Sequence, residues 1–349
     1  MTPTRGRSRS SRSSTLAQIL TRVALAAGAA AVASAAYQTL ASRRDRQRFM
    51  PPGMLVDIGG RRIHLWRDGV GSPAVVVVPA LGEPALNWAG LLPKLAAETT
   101  TVLFDKAHLG WSDPAWGAGS ARRHADDLRR ALQQAGISPP YILVGHSAGG
   151  YVVRLFCAAQ PEQVAGVVLV DASHPEQGRH FPWTRTKMLW RIVKWRLTPL
   201  GLRRLANELG WNGAATREVA ARRLPPEWSR ARMTLDFSDQ QRRGELREML
   251  ATITINPRQV LRAAPTLGST PLTVVSSSRT DPDLTDPTAI ARRSAFYDIW
   301  EPLQKDLVSL SSSARHVVAD PAGHHVHRHQ PEVVVAEVLA HVRRVRAHA

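Results

Sequence analysis

The stretch "YILVGHSAGGYVVRLF", residues 141–156, joins an apolar run to a helical pattern through small residues that surround one serine. The apolar run predicts a buried strand, and the spacing of apolar residues after Ser147 predicts a helix. A turn this sharp strains the serine backbone and leaves no room for bulky neighbours. The stretch therefore predicts that Ser147 lies at the start of a helix, where free N–H groups favour negative charge.

Short apolar runs alternate with longer helical patterns from residue 54 onward. Strands are predicted at 54–58, 61–66, 74–78, 100–104, 141–144, 166–170, 272–276 and 315–319. Helices are predicted at about 85–97, 120–135, 148–160, 288–311 and 331–347. This alternation predicts an α/β fold, with a mostly parallel eight-stranded sheet and helices on both of its faces.

Residues 172–265 interrupt this alternation with a basic segment that reads as several amphipathic helices. We interpret it as a helical cap inserted into a core made of residues 51–171 and 266–349. The cap sequence contains five tryptophans, which either line an apolar cleft over the sheet or form the cap's own core: Trp183, Trp190, Trp195, Trp211 and Trp228.

The net charge of +18 is concentrated in two segments. Residues 1–50 hold nine Arg and one Asp, and residues 171–265 hold eighteen basic and nine acidic residues. No zinc-finger spacing or RNA-binding signature accompanies these charges, so we expect no nucleic-acid partner. Cys157 is the single cysteine. It permits no intramolecular disulfide, and its place in the apolar pattern predicts a core position.

The basic segment 1–50 contains an uncharged apolar run at residues 23–42. Twenty helical residues span about 30 Å, which is the thickness of one hydrocarbon core. We expect a membrane anchor whose flanking arginines suit an anionic membrane surface, with the N-terminus on the inner side. A signal peptide cleaved near Ala35, giving a secreted enzyme, is the alternative.

Three motifs resemble those of the α/β-hydrolase superfamily, and the resemblance covers residues 54–349. "VGHSAGG" resembles the nucleophile elbow, and "FDKAHLGWSD" resembles the loop after the fourth strand. "VVVVPALGE" lies where the family carries its oxyanion loop, although Pro79 and Ala80 replace the His-Gly pair that often begins it. The resemblance implies Ser147 as the nucleophile, and the backbone N–H groups of Leu81 and Ala148 as the oxyanion hole.

A serine nucleophile needs a proton acceptor, and "DPAGHHVHRHQPE" offers four histidines after the last strand. The family's catalytic histidine follows a small residue and precedes a proline by seven positions. His324 fits this pattern with Pro331, and His325 is the alternative. Four clustered histidines could also bind a metal, but no carboxylate or cysteine pattern beside them supports a closed site. We therefore expect no metal and no cofactor.

The resemblance also implies an acid that holds the histidine. Its usual place after the seventh strand matches Asp281, and Asp283 lies two residues further on. Asp171, at the end of the sixth strand, is the alternative because some family members use an acid there.

Together, the serine, the histidine, the acid and the oxyanion hole imply a serine hydrolase that acts on a small, apolar carboxylic ester or related acyl compound. A lipase, a thioesterase or an acyltransferase of the same fold is an alternative that these residues also permit. A ligand-binding protein of this fold without catalytic turnover is a further alternative.

Overall fold

The computed structural model describes residues 9–181, 189–190, 192–193, 198–209, 224 and 226–348. Its centre is an eight-stranded sheet in the order β1-β2-β4-β3-β5-β6-β7-β8. β2 is antiparallel to both of its neighbours, and the other strand pairs are parallel. The α/β prediction is confirmed, and the strands are β1 Met54–Asp57, β2 Arg62–Asp68, β3 Ala74–Val78, β4 Thr101–Phe104, β5 Tyr141–His146, β6 Val164–Val170, β7 Leu272–Ser276 and β8 Ala314–Val318.

Helices lie between most of these strands, as the alternation predicts. The predicted helix at 85–97 is divided into a 3-10 turn, Ala85–Trp88, and a short helix that has Pro93 in its first turn. Proline lacks an N–H and therefore begins a new helix more readily than it continues one. The helices are α1 Arg9–Arg48, α2 Leu92–Ala96, α3 Ala121–Gln134, α4 Gly149–Ala159, α5 Gln177–His180, α6 Leu202–Glu208, α7 Pro226–Asp236, α8 Asp239–Thr254, α9 Asn256–Ala263, α10 Pro287–Asp306, α11 Val326–His329 and α12 Pro331–Arg346.

The sheet is buried on both faces, as the valine-rich strand β3 shows. Val75 and Val77 join a cluster that includes residues of α2 and α12. Val76 and Val78 point the other way, into a cluster that includes residues of α3, α4 and α9. Full burial of a valine side chain contributes about 1.5–3 kcal/mol. The two clusters therefore make the sheet a rigid platform, and the carboxyl ends of its parallel strands present loops along one edge.

The segment between β6 and β7 contains α5 to α9 and corresponds to the predicted cap. Its last helix packs closely on the core: Asn256 Oδ1 accepts a hydrogen bond from the Ala121 N–H at 2.9 Å. Trp228 contacts Trp66 with ring centroids 4.9 Å apart, and Trp190 is exposed. The cap tryptophans at 183, 195 and 211 lie outside the described residues, and the cap boundaries stay predictions.

The N-terminal helix α1 has two parts with different surroundings, a first part that ends at residue 33 and a second part at residues 34–48. The helix over Ala17–Arg48 is long enough to cross a membrane, and an 18-residue window within it has a mean hydropathy of 1.7. Val23 and Val32, in the first part, are well exposed. In the second part, Gln38 Oε1 and Asp45 Oδ2 accept hydrogen bonds from Arg204 at 2.9 and 2.6 Å. The second part thus contacts the body of the protein through polar groups, while the apolar first part is left uncovered.

Candidate active site

Ser147 lies in the turn between β5 and α4, with a left-handed φ of +51°. Its N–H donates to the Val170 carbonyl of the neighbouring strand β6 at 3.1 Å, which holds this strained conformation. A Cβ on Gly149 would lie 2.2 Å from the Val78 carbonyl oxygen, and one on Gly145 would clash as well. The small residues around the serine are therefore required by the close approach of strand and helix.

His324 follows β8, and its Nδ1 lies 2.6 Å from Oδ2 of Asp171. Asp171 is fully buried just after β6, where its Oδ1 accepts from the Ser277 N–H at 2.9 Å and from Trp300 Nε1 at 2.8 Å. Burial alone would raise the pKa of Asp171, but the hydrogen bond and charge of His324 lower it. Burial would lower the pKa of His324, and Asp171 raises it. An ionised Asp171 keeps the proton of the neutral ring on Nδ1 and leaves Nε2 free to accept one.

The structure does not bring Asp281, the acid expected from the sequence, to His324. Asp281 Oδ1 accepts from the Asp283 N–H at 3.1 Å, and both residues form a separate cluster with His329. Asp171 follows β6, which directly neighbours β5, so its pair with His324 lies next to the strand that leads into Ser147. The pairing expected between His324 and Asp281 is therefore corrected to a pairing with Asp171.

His325, the alternative base, turns away from this pair. Its Nδ1 lies 3.3 Å from Oε1 of Glu83, in the loop after β3. Burial lowers the pKa of His325 to about 3. Of the two neighbouring histidines, His324 is therefore the one placed against the buried acid.

Leu81, Ala148, Ser147 and His324 all line one cavity of about 990 Å³. Among the described residues, neither the Leu81 N–H nor the Ala148 N–H donates to a protein acceptor. Two free donors beside a serine and a histidine can together stabilise an oxyanion that forms at the serine.

Aromatic side chains line another part of this cavity. Phe181 stacks on Phe296 with centroids 4.7 Å apart, and Phe296 stacks on Trp300 at 5.3 Å. Met249 and Ile253 of α8 line the same space. The cavity therefore combines a polar end at Ser147 with an apolar interior that suits an acyl or other apolar group.

The loop that carries Leu81 is held on both sides by a buried ion pair. Lys106 Nζ donates to the Ala80 carbonyl at 2.8 Å and lies 2.9 Å from the Glu248 carboxylate. Glu248 Oε2 in turn accepts from the Gly82 N–H at 2.7 Å. Burial alone would raise the pKa of Glu248, but Lys106 and its other partners lower it to about 2. This pair fixes the peptide groups on either side of Leu81 and thereby orients its N–H.

Replacing Lys106 with methionine should lower the free energy of unfolding by about 3–5 kcal/mol, because it leaves the Glu248 carboxylate buried without its cation. Lys94→Met is the matched control, since Lys94 pairs with Glu332 at the surface and should change stability by less than about 1 kcal/mol. Urea unfolding of both variants measures the difference. Equal losses in the two variants would contradict the role given to Lys106.

Sequence reasoning did not find Trp300, Lys106 or Glu248. Lys106 carries a usable signal, since the two charged residues Asp105 and Lys106 follow the buried strand "TTVLF" and charges in such a place are usually paired. Trp300 and Glu248 lie on helices distant in sequence from Asp171 and Leu81, and no local pattern marks them.

A comparison with protein families matches residues 73–263, more than half of the chain, to the family described as alpha/beta hydrolase fold. The chain therefore belongs to this family. The uncharacterized protein YbdG of Bacillus subtilis is 27% identical over 127 residues, which cover 36% of this chain and 39% of that protein. Two further curated relatives are covered over only 24% and 18% of their lengths.

Solved structures agree with the fold. A mutant of a proposed epoxide hydrolase from Pseudomonas aeruginosa superposes with a TM-score of 0.60 at 18% identity, covering 85% of this chain and 97% of that one. The enol-lactonase from Burkholderia xenovorans superposes with a TM-score of 0.57 at 18% identity, covering 83% and 100% of the two chains. At this level of identity the likeness establishes the architecture, and the chemistry must be argued from the site.

Proposed function

We propose that the protein is a serine hydrolase that cleaves small carboxylic esters or related acyl compounds without a cofactor. The observation that carries this proposal is the common cavity of Ser147 and His324, with His324 paired to the buried carboxylate of Asp171. An enol-lactonase is among the proteins of similar fold, and a lactone is a cyclic ester.

In the proposed mechanism, Ser147 Oγ attacks the ester carbonyl while His324 Nε2 takes the hydroxyl proton. The negative oxygen of the tetrahedral intermediate accepts hydrogen bonds from the Leu81 and Ala148 N–H groups. His324 then gives its proton to the leaving alcohol, and an acyl-enzyme remains on Ser147. A water activated by the same histidine hydrolyses it, while ionised Asp171 stabilises the transient imidazolium.

The type of nucleophile argues against epoxide hydrolysis, although one similar structure is of a proposed epoxide hydrolase. Epoxide hydrolases of this fold use an aspartate at the elbow, where this chain has Ser147. Transfer of the acyl group to another acceptor, as in an acyltransferase, uses the same residues, as do lipase and thioesterase reactions. The aromatic interior of the cavity favours an apolar acyl substrate in each case.

A fluorophosphonate probe tests the proposal without knowledge of the substrate, because it reacts with activated serines. We expect stoichiometric labelling of the folded protein and hydrolysis of short p-nitrophenyl esters, with the label in the peptide that contains Ser147. A folded protein that takes no label would refute catalysis and favour a ligand-binding role.

We further propose that α1 anchors this hydrolase to a membrane. Its uncovered apolar part suits lipid, and five arginines precede the apolar run. The polar contacts of Arg204 with Gln38 and Asp45 would then keep the catalytic body close to the membrane surface.

The full-length protein should fractionate with membranes and stay there during a high-salt wash, because the attachment is through buried apolar area. A chain that begins at Pro51 should be recovered in the soluble fraction with its fluorophosphonate labelling retained, since every proposed catalytic residue follows that point. Mass spectrometry of the N-terminus supplies the check. A mature chain that begins just after Ala35 would identify a cleaved signal and rule out the anchor.

A further inference from the structure

Four side chains that the proposed mechanism does not use converge beside the active site, next to Ser147 and His324 in the sequence or packed against those neighbours. Glu83 comes from the loop after β3, His146 ends β5, and His325 and His327 follow β8. One possible ligand atom from each residue lies within 4.8 Å of the corresponding atoms of the other three. The carboxylate missing from the histidine-rich segment is thus supplied by a loop that is far away in sequence.

The distances and the types of ligand suit a zinc ion. Glu83 Oε2 lies 3.3 Å from His146 Nδ1, and Glu83 Oε1 lies 3.3 Å from His325 Nδ1. Zinc bonds of 2.0–2.1 Å in tetrahedral geometry place neighbouring ligand atoms about 3.3 Å apart. Three imidazoles and one carboxylate are a donor set that zinc accepts.

The surroundings of His146 fix which of its nitrogens is available. His146 Nε2 lies 3.0 Å from the carbonyl oxygen of His324, to which only a protonated nitrogen can donate. The lone pair of the neutral ring is then on Nδ1, facing Glu83. Metal-bound histidines almost always donate their second ring N–H to a carbonyl or carboxylate in this manner.

His327 is buried against Trp88, with the two rings stacked 4.3 Å apart. Neither of its ring nitrogens has a hydrogen-bond partner among the described residues. A buried polar group without a partner costs about 1–3 kcal/mol, and a metal bond would remove that cost at one nitrogen.

Two further features determine how a metal ion reaches this cluster and which side chain competes with it there. The His325 side chain is 39% exposed, which gives an ion a path to the otherwise buried group. The Arg328 guanidinium lies 3.8 Å from Glu83 Oε1 and competes with a cation for this carboxylate. We therefore expect Arg328→Gln to tighten metal binding.

We propose that Glu83, His146, His325 and His327 bind one zinc ion that ties the loop of His324 to the strand end that carries Ser147. His146 directly precedes Ser147, and His325 directly follows His324. The ion would fix the base relative to the nucleophile without touching the substrate. This positioning consequence rests on the proposed function, whereas the metal site itself does not.

Zinc content and affinity test the site directly. The full-length protein, treated with a chelator and then dialysed against zinc, should retain one zinc ion per chain. Glu83→Gln and His327→Ala should each weaken zinc binding at least about 100-fold. His329→Ala is the matched control, because His329 belongs to the separate cluster with Asp281 and Asp283 and should leave the affinity unchanged.

Cobalt substitution of the unmutated protein keeps the test decisive if a variant does not fold, because tetrahedral cobalt absorbs visible light far more strongly than six-coordinate cobalt. Absence of retained zinc, loss of zinc in His329→Ala but not in His327→Ala, or a six-coordinate cobalt spectrum would each overturn the proposal. Slower fluorophosphonate labelling of the zinc-free, folded protein would support the positioning role. Zinc binding by a protein that takes no label would refute the proposed function alone.

Discussion

Replacement of Ser147 by alanine is expected to lower kcat/KM for short p-nitrophenyl esters by about 10⁴-fold or more and to abolish fluorophosphonate labelling. The substitution removes only the hydroxyl. The backbone hydrogen bond from the Ser147 N–H to Val170 and the free N–H of Ala148 are retained. The loss should therefore appear in kcat, with the free energy of unfolding nearly unchanged.

Ser173→Ala is the matched control for this experiment. Ser173 lines the same cavity, and its N–H donates to the Ser147 carbonyl at 2.9 Å, but its hydroxyl has no part in the proposed mechanism. We expect Ser173→Ala to keep labelling and most of the activity. Labelling that persists in Ser147→Ala and disappears in Ser173→Ala would move the nucleophile to Ser173.

Asp171→Asn should produce the second large effect, a loss of about 10⁴-fold in kcat. The asparagine oxygen can still accept from the Ser277 N–H and from Trp300, so the local structure should survive. Its amide NH₂ would then face His324 Nδ1 and make that nitrogen an acceptor. The proton of the neutral ring would move to Nε2, where it prevents His324 from accepting the proton of Ser147.

Asp281→Asn separates this assignment from the one that the sequence favours. Asp281 contacts the Asp283 N–H, and the structure places it outside the pair of His324 and Asp171. We expect Asp281→Asn to keep kcat within a few-fold of the unmutated protein, and circular dichroism should show both variants folded. A crippled Asp281→Asn protein beside an active Asp171→Asn protein would restore Asp281 as the acid.

Much of the fold was predictable because its signals are local. A strand buried on both faces needs a continuous apolar run, and the run at 74–78 coincides with β3. The elbow was predictable for the same reason, since the steric demand that excludes side chains at Gly145 and Gly149 acts within a few residues of Ser147. Element ends shifted by a few residues where proline or a 3-10 turn ended regular structure, as at Asp306.

The acid was not predictable from local pattern, because the choice depends on which strand end meets the loop of His324. Asp171 and Asp281 each follow an apolar run that ends at the same edge of the sheet. The pairing depends on the loop of His324 reaching past the end of β7 to the end of β6, and on Trp300, which contacts Asp171 from α10. These are tertiary contacts between distant segments, and spacing along the chain does not encode them.

β8 is the last strand in the order of the chain, and this order affects when activity can arise during synthesis. His324 follows β8 and lies 153 positions after Asp171. Ribosomes add about 5–20 residues per second, so the serine and the acid exist for about 8–30 s before the base is made. Under the proposed mechanism, Ser147 is an ordinary alcohol during that interval. A nascent or prematurely terminated chain would thus carry the elbow without hydrolysing esters.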